Sequence, residues 1–332
     1  MDGRSAGGAL SLNQSLHILS PAALGLSPAR YPQWRDVQVE ALNWLMSHRG
    51  DARVKGLCLP TGSGKSPLAA AYAALTGQRT AILVGTRQLQ DQYGRDLGAG
   101  YDPQVAVWAD LRGQSNYTCA REGRPVTVEM APCQQGQQCE MGREDGPGGC
   151  LYYGSDGALA RAGEADVVVL NYSAWLHLVN GPRRLREFSC LILDEGDTAL
   201  DWLSEYLAAQ LWERGLLSEL PAEGTDMQGL QLWAVETDAS VAALLKAVPL
   251  HHYRERLEWQ RVRRELSKVV TAQGSWVASW EGRKGTSGRV LRVEPVEPAA
   301  YVGRALLQDV GDVVVMSATL TKGYMEMFTR YL

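Results

Sequence analysis

The fold of this chain is decided at residues 54–75, which read VKGLCLPTGSGKSPLAAAYAAL. The apolar run at 54–59 predicts a buried strand, and the alanine-rich run at 68–75 predicts a helix. The glycine-rich loop PTGSGKS, residues 60–66, lies between them. A loop in this position points several backbone N–H groups at one spot beside the positive end of a helix dipole, and that arrangement holds phosphates. The stretch therefore predicts a phosphate-binding α/β fold.

The side chains of this loop predict an ATP site. We expect Lys65 to reach the β- and γ-phosphates and the Ser66 hydroxyl to bind Mg²⁺. Gly62 and Gly64 permit the positive φ angles and the close backbone approach that such a loop requires. The predicted nucleotide-binding residues of the loop are Thr61, Gly62, Ser63, Gly64, Lys65 and Ser66.

Further apolar runs extend the same pattern along the chain. Helix spacing recurs at 37–46 and 88–97, and apolar strands are predicted at 81–84, 166–170, 191–193 and 313–316. Strands that alternate with helices in this way imply a parallel sheet with helices on both faces.

An acidic pair, Asp194-Glu195, ends the strand predicted at 191–193. A carboxylate in this position can bind Mg²⁺ through water, and its neighbour can orient or deprotonate the attacking water. A lone acidic pair also commonly caps a helix, but the position of this pair about 130 residues after the phosphate loop, in the same predicted sheet, favours the magnesium site. Residues 317–319, Ser-Ala-Thr, follow the last predicted strand, and their hydroxyls either link the ATP site to a nucleic-acid groove or form a simple turn.

The composition restricts the class of protein. The 332 residues carry a net charge of −4 and 45% apolar residues, so the chain is neither uniformly basic nor disordered. A local basic groove is still compatible with nucleic-acid binding. The sequence contains no apolar run of about 18 residues and begins with a poor secretory signal, so we expect a cytoplasmic protein.

The six cysteines fall into two groups. Cys58 and Cys190 lie in apolar runs and are predicted to be small core residues. The other four lie in a Gly- and Gln-rich stretch with 13, 5 and 10 residues between them; they are Cys119, Cys133, Cys139 and Cys150. This spacing suits a zinc ribbon poorly and a [4Fe–4S] cluster better, and unligated thiols are the third possibility.

Seven segments in order resemble the superfamily 2 helicases, and specifically their XPD/DinG iron–sulfur branch. They are RDVQ at 35–38 (arginine/glutamine motif), TGSGKS at 61–66 (motif I), GTR at 85–87 with Gln92 (motif Ia), GQSNYTC at 113–119 and ADVVVLNY at 165–172 (the two ends of the cluster domain), DEGD at 194–197 (DEAH box) and SATL at 317–320. The resemblance covers roughly residues 30–332.

The resemblance implies a domain organisation. After a flexible lead-in at 1–30, residues 31–112, 156–199 and 296–332 would form a RecA-like first motor lobe. Residues 113–155 would form an iron–sulfur domain in which the four cysteines hold a [4Fe–4S] cluster. Residues 200–295 would form a mainly helical arch.

The resemblance also implies residue roles. Gln38, with Arg35 beside it, would read adenine. Lys65, Asp194 and Glu195 would be catalytic, with Ser66 and Asp194 on Mg²⁺. Thr86 and Gln92 would contact the backbone of single-stranded or forked DNA, along which the family moves 5′→3′.

The sequence departs from the family at three places. Gly196 and Asp197 replace the alanine and histidine of the DEAH box, and Leu59 replaces a small residue. The 332 residues end about a dozen positions after SATL, so we expect no second motor lobe and no arginine finger within them. The chain alone should then hydrolyse ATP slowly, or another chain should supply that lobe.

Basic segments at 183–186, 254–264 and 283–292 are candidates for phosphate contact, although the middle one alternates with glutamates as a solvated helix face does. Six tryptophans within 200–295 are either core residues or platforms for bases. Three functions therefore remain open: an ATP-dependent DNA helicase or translocase, an ATP- and DNA-binding adaptor without unwinding activity, and a structural metal-containing DNA-binding protein.

Overall fold

The structure is a computed structural model that describes residues 19–98, 100–119, 126–135, 139, 149–181, 185–213, 217–282 and 288–332. The predicted strand-loop-helix at 54–75 is present as β1 (Val54–Cys58), a loop, and a helix that begins at Lys65. Among the described helices, none is both long and apolar enough to span a membrane.

A parallel sheet forms the centre of the fold. Its strands lie in the order β1-β9-β5-β2-β4-β3, and every neighbouring pair is parallel. The strands are β1 (Val54–Cys58), β2 (Thr80–Val84), β3 (Trp108–Asp110), β4 (Val167–Asn171), β5 (Cys190–Asp194) and β9 (Asp312–Ser317). Each of the five strands predicted from the sequence is present. The edge strand β3 was not predicted, because three residues are too few for a periodicity signal.

Helices cover both faces of this sheet. They are α1 (Asp36–Ser47), α2 (Lys65–Thr76), α3 (Arg87–Tyr93), α4 (Ala158–Glu164), α5 (Tyr172–Val179), α6 (Ala199–Leu207) and α9 (Lys322–Thr329). One buried apolar cluster joins α1 and α2 to one face, and a second joins α4, α5 and α6 to the other. The α/β fold class with a parallel P-loop sheet is therefore confirmed.

The stretch between β5 and β9 carries a core of its own. Two long helices, α7 (Met227–Ala247) and α8 (Tyr253–Val270), pack against an antiparallel sheet in the order β6-β8-β7. Its strands are β6 (Ala209–Trp212), β7 (Trp276–Gly282) and β8 (Arg289–Pro295). Helices dominate this insertion as expected, but the sheet was not predicted. Its partners β6 and β8 are far apart in the chain, so no local pattern marks them as a pair.

The fold buries some of the tryptophans and cysteines and leaves others exposed. Trp259 is buried in the core of the insertion, and Trp233, Trp276 and Trp280 pack against it, whereas Trp212 is exposed. Cys190 is buried as predicted. The prediction for Cys58 is wrong: it is exposed, because it is the last residue of an edge strand.

Candidate nucleotide site and adjoining cleft

Three strand ends meet at one edge of the parallel sheet. Strand β9 lies between β1 and β5, and the register pairs Cys58 with Ser317 and Asp194 with Met316. The loop after β1, the Asp194-Glu195 pair after β5 and the SATL segment after β9 therefore emerge side by side. Ligands of open α/β sheets bind at this carboxyl edge.

The phosphate loop has the backbone that its glycines predict. Gly62 and Gly64 have φ angles of 79° and 84°, in the left-handed region. Among the residues that the structure describes, no atom lies within 4 Å of a Cβ built on Gly62, whereas a Cβ on Gly64 would be 2.2 Å from the Gln38 amide nitrogen. Gly64 is therefore required for its space as well as for its φ angle.

The arginine/glutamine motif braces this loop from the start of α1. Gln38 is buried, and its amide nitrogen donates to the carbonyl oxygens of Ser63 at 3.0 Å and Gly64 at 3.3 Å. Its carbonyl oxygen accepts from the backbone N–H of Arg35 at 3.0 Å. The Arg35 guanidinium donates to the carbonyl of Gly62. The structure thus shows both side chains holding the loop, and their contact with adenine stays a prediction.

The loop offers groups that suit a triphosphate. Lys65 and Ser66 begin the 12-residue helix α2, where unpaired backbone N–H groups and the helix dipole favour anions. The Lys65 ammonium donates to the carbonyl of Leu59 at 3.4 Å, a long contact that a phosphate can replace. The hydroxyl of Ser63 is buried and, within the described part of the chain, lacks a hydrogen-bond partner. These groups fit bound ATP and Mg²⁺.

Three hydrogen bonds hold Asp194 in place. It is 1% exposed, and its Oδ2 accepts from the Tyr93 hydroxyl at 2.8 Å while its Oδ1 accepts from the Glu195 N–H at 3.0 Å. The Tyr172 hydroxyl donates to its backbone carbonyl at 3.1 Å. Burial raises the pKa of the carboxyl, and the hydrogen bond from Tyr93 and the positive charge of Lys65 oppose that rise. Lys65 and Asp194 therefore lie close enough to interact.

Glu195 leaves the strand in an uncommon conformation. Its φ is 52°, in the left-handed region that non-glycine residues rarely adopt and that is frequent at functional sites. The side chain is exposed, and its Oε2 lies 3.0 Å from where a Cβ on Gly85 would be. Gly85, the first residue of the motif Ia segment, thus leaves room for a carboxylate beside Asp194.

The two departures in the DEGD segment have local explanations. A Cβ on Gly196 would lie 2.5 Å from Val315 Cγ1, so the alanine of the family pattern does not fit unless the Val315 side chain shifts. The Asp197 carboxylate accepts from the Thr319 hydroxyl. Burial acts to raise the pKa of Asp197, but hydrogen bonds with Ser317 and Thr319 bring it below its ordinary value. An ionised carboxylate therefore joins the DEGD segment to SATL.

A wide cleft with a volume of about 1600 Å³ opens beside this edge. Motif Ia, the cysteine-rich segment and the insertion all line it. Its basic side chains are Arg87, Arg112, Arg261, Arg264 and Lys268, and its aromatic ones include Tyr152, Tyr153, Trp202, Tyr206 and Trp212. Four glutamates also line the cleft, so its charge is mixed: Glu129, Glu205, Glu258 and Glu265.

Several of these cations are already paired. Arg261 on α8 bonds Glu129 at 2.6 Å, a contact that joins the insertion to the cysteine-rich segment. Arg112 bonds two aspartates and Lys268 bonds a glutamate. Arg87 and Arg264 have no acidic partner within the described ranges. The prediction of phosphate contacts therefore depends mainly on these two arginines.

The other predicted DNA contacts have mixed outcomes. Thr86 caps α3, where its hydroxyl accepts from the N–H of Leu89 at 3.2 Å, and Gln92 is exposed on the same helix. Arg183, Arg184 and residues 283–287 lie outside the described residues. Arg289 bonds Glu213 within the insertion, whereas Arg292 bonds Glu294 and also Glu205 on α6, so both arginines already have acidic partners.

The structure describes all four cysteines of the 119–150 segment. Burial raises the pKa of the Cys133 thiol, and the other three cysteines add to that rise. The Tyr153 N–H donates to the sulfur of Cys150 at 3.3 Å. Within the part of the chain that the structure describes, no three His, Cys, Asp or Glu side chains converge as metal ligands. Ligation of a cluster by these cysteines therefore stays a prediction.

Sequence reasoning missed one residue of this site. Tyr93 contacts Asp194 although it comes from a different strand-helix unit, and it lies on the inward face of α3, one turn after the buried Gln90. A tyrosine on the apolar face of a helix is usually a core residue, so the sequence carries no signal that distinguishes this hydroxyl.

Comparison with solved structures identifies proteins with a similar fold. No protein-family model and no curated protein sequence matched the chain. Among solved structures, "XPD_Helicase" matches with a TM-score of 0.57 and 19% identity over 89% of this chain and 60% of that one. "Truncated XPD" matches with a TM-score of 0.52 and 16% identity over 88% and 96%. "XPD_APO" matches with a TM-score of 0.51 and 16% identity over 86% and 55%.

The chain thus spans about 60% of the length of the first of these structures. At such low sequence identity the likeness concerns the arrangement of strands and helices. The family expected from the sequence motifs and the fold found from the coordinates nevertheless agree. The chain has an XPD-like fold.

Proposed function

We propose that this chain is the ATP-binding first motor lobe of an XPD/DinG-type DNA helicase or translocase. The observation that carries the proposal is the convergence of the phosphate loop, Asp194, Glu195 and SATL at one sheet edge, beside a cleft of about 1600 Å³. A phosphate site alone fits many enzymes. The adjoining cleft, lined by motif Ia and both insertions, favours a long polymeric ligand.

The residues at this edge have complementary tasks in phosphoryl transfer. The loop N–H groups and Lys65 hold the β- and γ-phosphates, and Glu195 orients the attacking water. Ser66 and Asp194 are the groups that would hold Mg²⁺, which neutralises phosphate charge when bound. Positioning and charge stabilisation supply most of the catalysis in this class of reaction.

The test is an ATPase assay with and without single-stranded DNA, on the wild type and on Lys65→Ala. Turnover that DNA stimulates and that requires Lys65 supports the proposal. Nucleotide binding without turnover, under any DNA, supports instead the adaptor function. Absence of nucleotide binding by the folded wild type would leave only a structural role in DNA binding.

DNA binding is the second part of the proposal. Arg87 and Arg264 are the cleft cations without acidic partners within the described residues, so they are the expected phosphate contacts. Each charge removed should weaken binding to all sequences alike and reduce the salt dependence by about one unit of slope. Fluorescence anisotropy of labelled oligo-dT at several salt concentrations measures both. The family's 5′→3′ polarity is carried over as part of this proposal.

A [4Fe–4S] cluster is the third part. Four cysteines lie in one segment of the chain, and the sulfur of Cys150 already accepts a backbone N–H, so together they would supply the donor chemistry of such a site. Protein purified without oxygen should be brown and contain iron, and Cys133→Ser should lose both. Colourless protein with one equivalent of zinc would replace the cluster by a zinc site, and metal-free protein would leave free thiols.

A further inference from the structure

We propose that Tyr93 is a positioning residue for the magnesium site, whose hydroxyl fixes the carboxylate of Asp194. The proposal rests on the ATP and Mg²⁺ site proposed above. It assigns a task to a side chain that lies outside the phosphate loop and the acidic pair.

The geometry places the hydroxyl on one of the two residues proposed to hold magnesium. Tyr93 is fully buried, and its hydroxyl donates to Asp194 Oδ2 at 2.8 Å. Tyr93 ends α3 and Asp194 ends β5, so the hydrogen bond joins a helix to the strand that carries the carboxylate.

Packing alone does not explain a tyrosine at this position. A phenylalanine would fill the same buried space, and a buried hydroxyl without a partner is destabilising. The Glu195 N–H already fixes Asp194 Oδ1. The bond from Tyr93 fixes the second oxygen, so the carboxylate cannot rotate about its last bond. Groups that orient a ligating carboxylate in this way support metal affinity directly.

The helix that carries Tyr93 is rigidly placed. Tyr93 is the last residue of α3, and the side chain of Gln90 in that helix donates to the carbonyls of Leu111 at 3.1 Å and Val169 at 3.2 Å. These bonds tie α3 to strand β4 and to the residue after β3. The sheet therefore fixes the position of the tyrosine ring, and the hydroxyl stays in place to donate its hydrogen bond to Asp194.

Tyr72 provides a matched control. It is also fully buried, and its hydroxyl donates to a carboxylate, Asp312 Oδ2, at 2.7 Å. Asp312 begins β9, and the register places it opposite Cys190, four residues before Asp194 on β5. Four residues of a strand correspond to about 13 Å, which is too far for a role at the cation. Tyr72→Phe therefore removes an equivalent bond away from the site.

The experiment measures the binding of a fluorescent ADP analogue to the wild type, Tyr93→Phe and Tyr72→Phe, each in EDTA and across a Mg²⁺ titration. For Tyr93→Phe we expect unchanged affinity for the analogue in EDTA. The Mg²⁺ concentration that produces half of the Mg²⁺-dependent change in analogue binding should rise about ten-fold. Tyr72→Phe should match the wild type in both conditions. Thermal unfolding of all three proteins establishes that they are folded.

The outcomes separate the inference from the proposed function. If the wild type binds the analogue and its Mg²⁺ titration coincides with that of Tyr93→Phe, the inference is wrong and the ATP site stands. Equal weakening in EDTA and in Mg²⁺ would assign Tyr93 a general structural role and would also overturn the inference. If the folded wild type binds no nucleotide in Mg²⁺, the proposed function itself fails.

Discussion

Gly64→Ala should be much more harmful than Gly62→Ala, although both glycines belong to the same loop. Both have positive φ angles, of 84° and 79°, so an alanine at either position carries a backbone penalty of about 1 kcal/mol. Only at Gly64 would the new Cβ meet another group, the Gln38 amide nitrogen at 2.2 Å. That amide must then move away from the loop.

The magnitude follows from the bonds that Gln38 would lose. Its amide nitrogen donates to the carbonyls of Ser63 and Gly64, and each bond contributes about 1 kcal/mol. Gly64→Ala should therefore reduce the free energy of unfolding by about 3 kcal/mol, against about 1 kcal/mol for Gly62→Ala. In a Gln38→Ala background the clash is absent, so the added effect of Gly64→Ala should fall to about 1 kcal/mol.

Urea unfolding followed by circular dichroism measures these differences for the two single variants, Gln38→Ala and the double variant. Binding of a fluorescent ATP analogue gives a second measurement, which should weaken in the same order. Equal destabilisation by the two glycine substitutions would refute the role of Gln38 as a brace. The same conclusion would follow if Gly64→Ala remained as destabilising without the Gln38 side chain.

Three further predictions concern charged groups. Lys55 forms an ion pair with Asp312 at 2.7 Å, and the two side chains are only 3% and 9% exposed. Lys55→Met should therefore lower the free energy of unfolding, measured in urea, by about 3–5 kcal/mol, because it leaves a buried carboxylate without its partner. Stability near that of the wild type would contradict a buried ion pair. The side chains of the ion pair Arg261–Glu129 are 52% and 30% exposed, so water and salt screen their attraction. A double-mutant cycle should therefore give a coupling free energy below about 1 kcal/mol that falls as salt is added. A larger coupling free energy that does not depend on salt would refute this prediction. Folding lowers the pKa of Asp197. The stabilisation that the ionised Asp197 carboxylate gives to the folded state should therefore be complete above its unfolded pKa of about 3.9 and should be lost as the pH falls through the lower pKa of the folded state. Unfolding of the wild type and Asp197→Asn between pH 3 and pH 6 measures this, and a stability difference that grows towards low pH would show the opposite sign.

The backbone of the candidate phosphate loop could be predicted from the sequence because its geometry is local. The strand, the two glycines with positive φ and the first turn of α2 are all encoded within residues 54–76. In such a loop backbone N–H groups would hold the phosphates, so the prediction requires only the chain direction and the helix start. Asp194 and Glu195 were placed by strand order, since parallel strands end at the same edge of a sheet.

Contacts between distant segments were decided only by the tertiary structure. The Asp197–Thr319 bond joins residues 122 positions apart, Tyr93 and Asp194 are 101 apart, and Lys55 and Asp312 are 257 apart. The antiparallel sheet of the insertion likewise pairs strands from its two ends. Such pairs leave no periodicity in either segment, because each side chain looks like an ordinary core or surface residue until its partner is beside it. The sequence by itself thus determined that the chain carries a phosphate loop in a parallel sheet, because neighbouring residues fix that geometry. Long-range packing decided which hydroxyl contacts Asp194 and which side chains line the cleft.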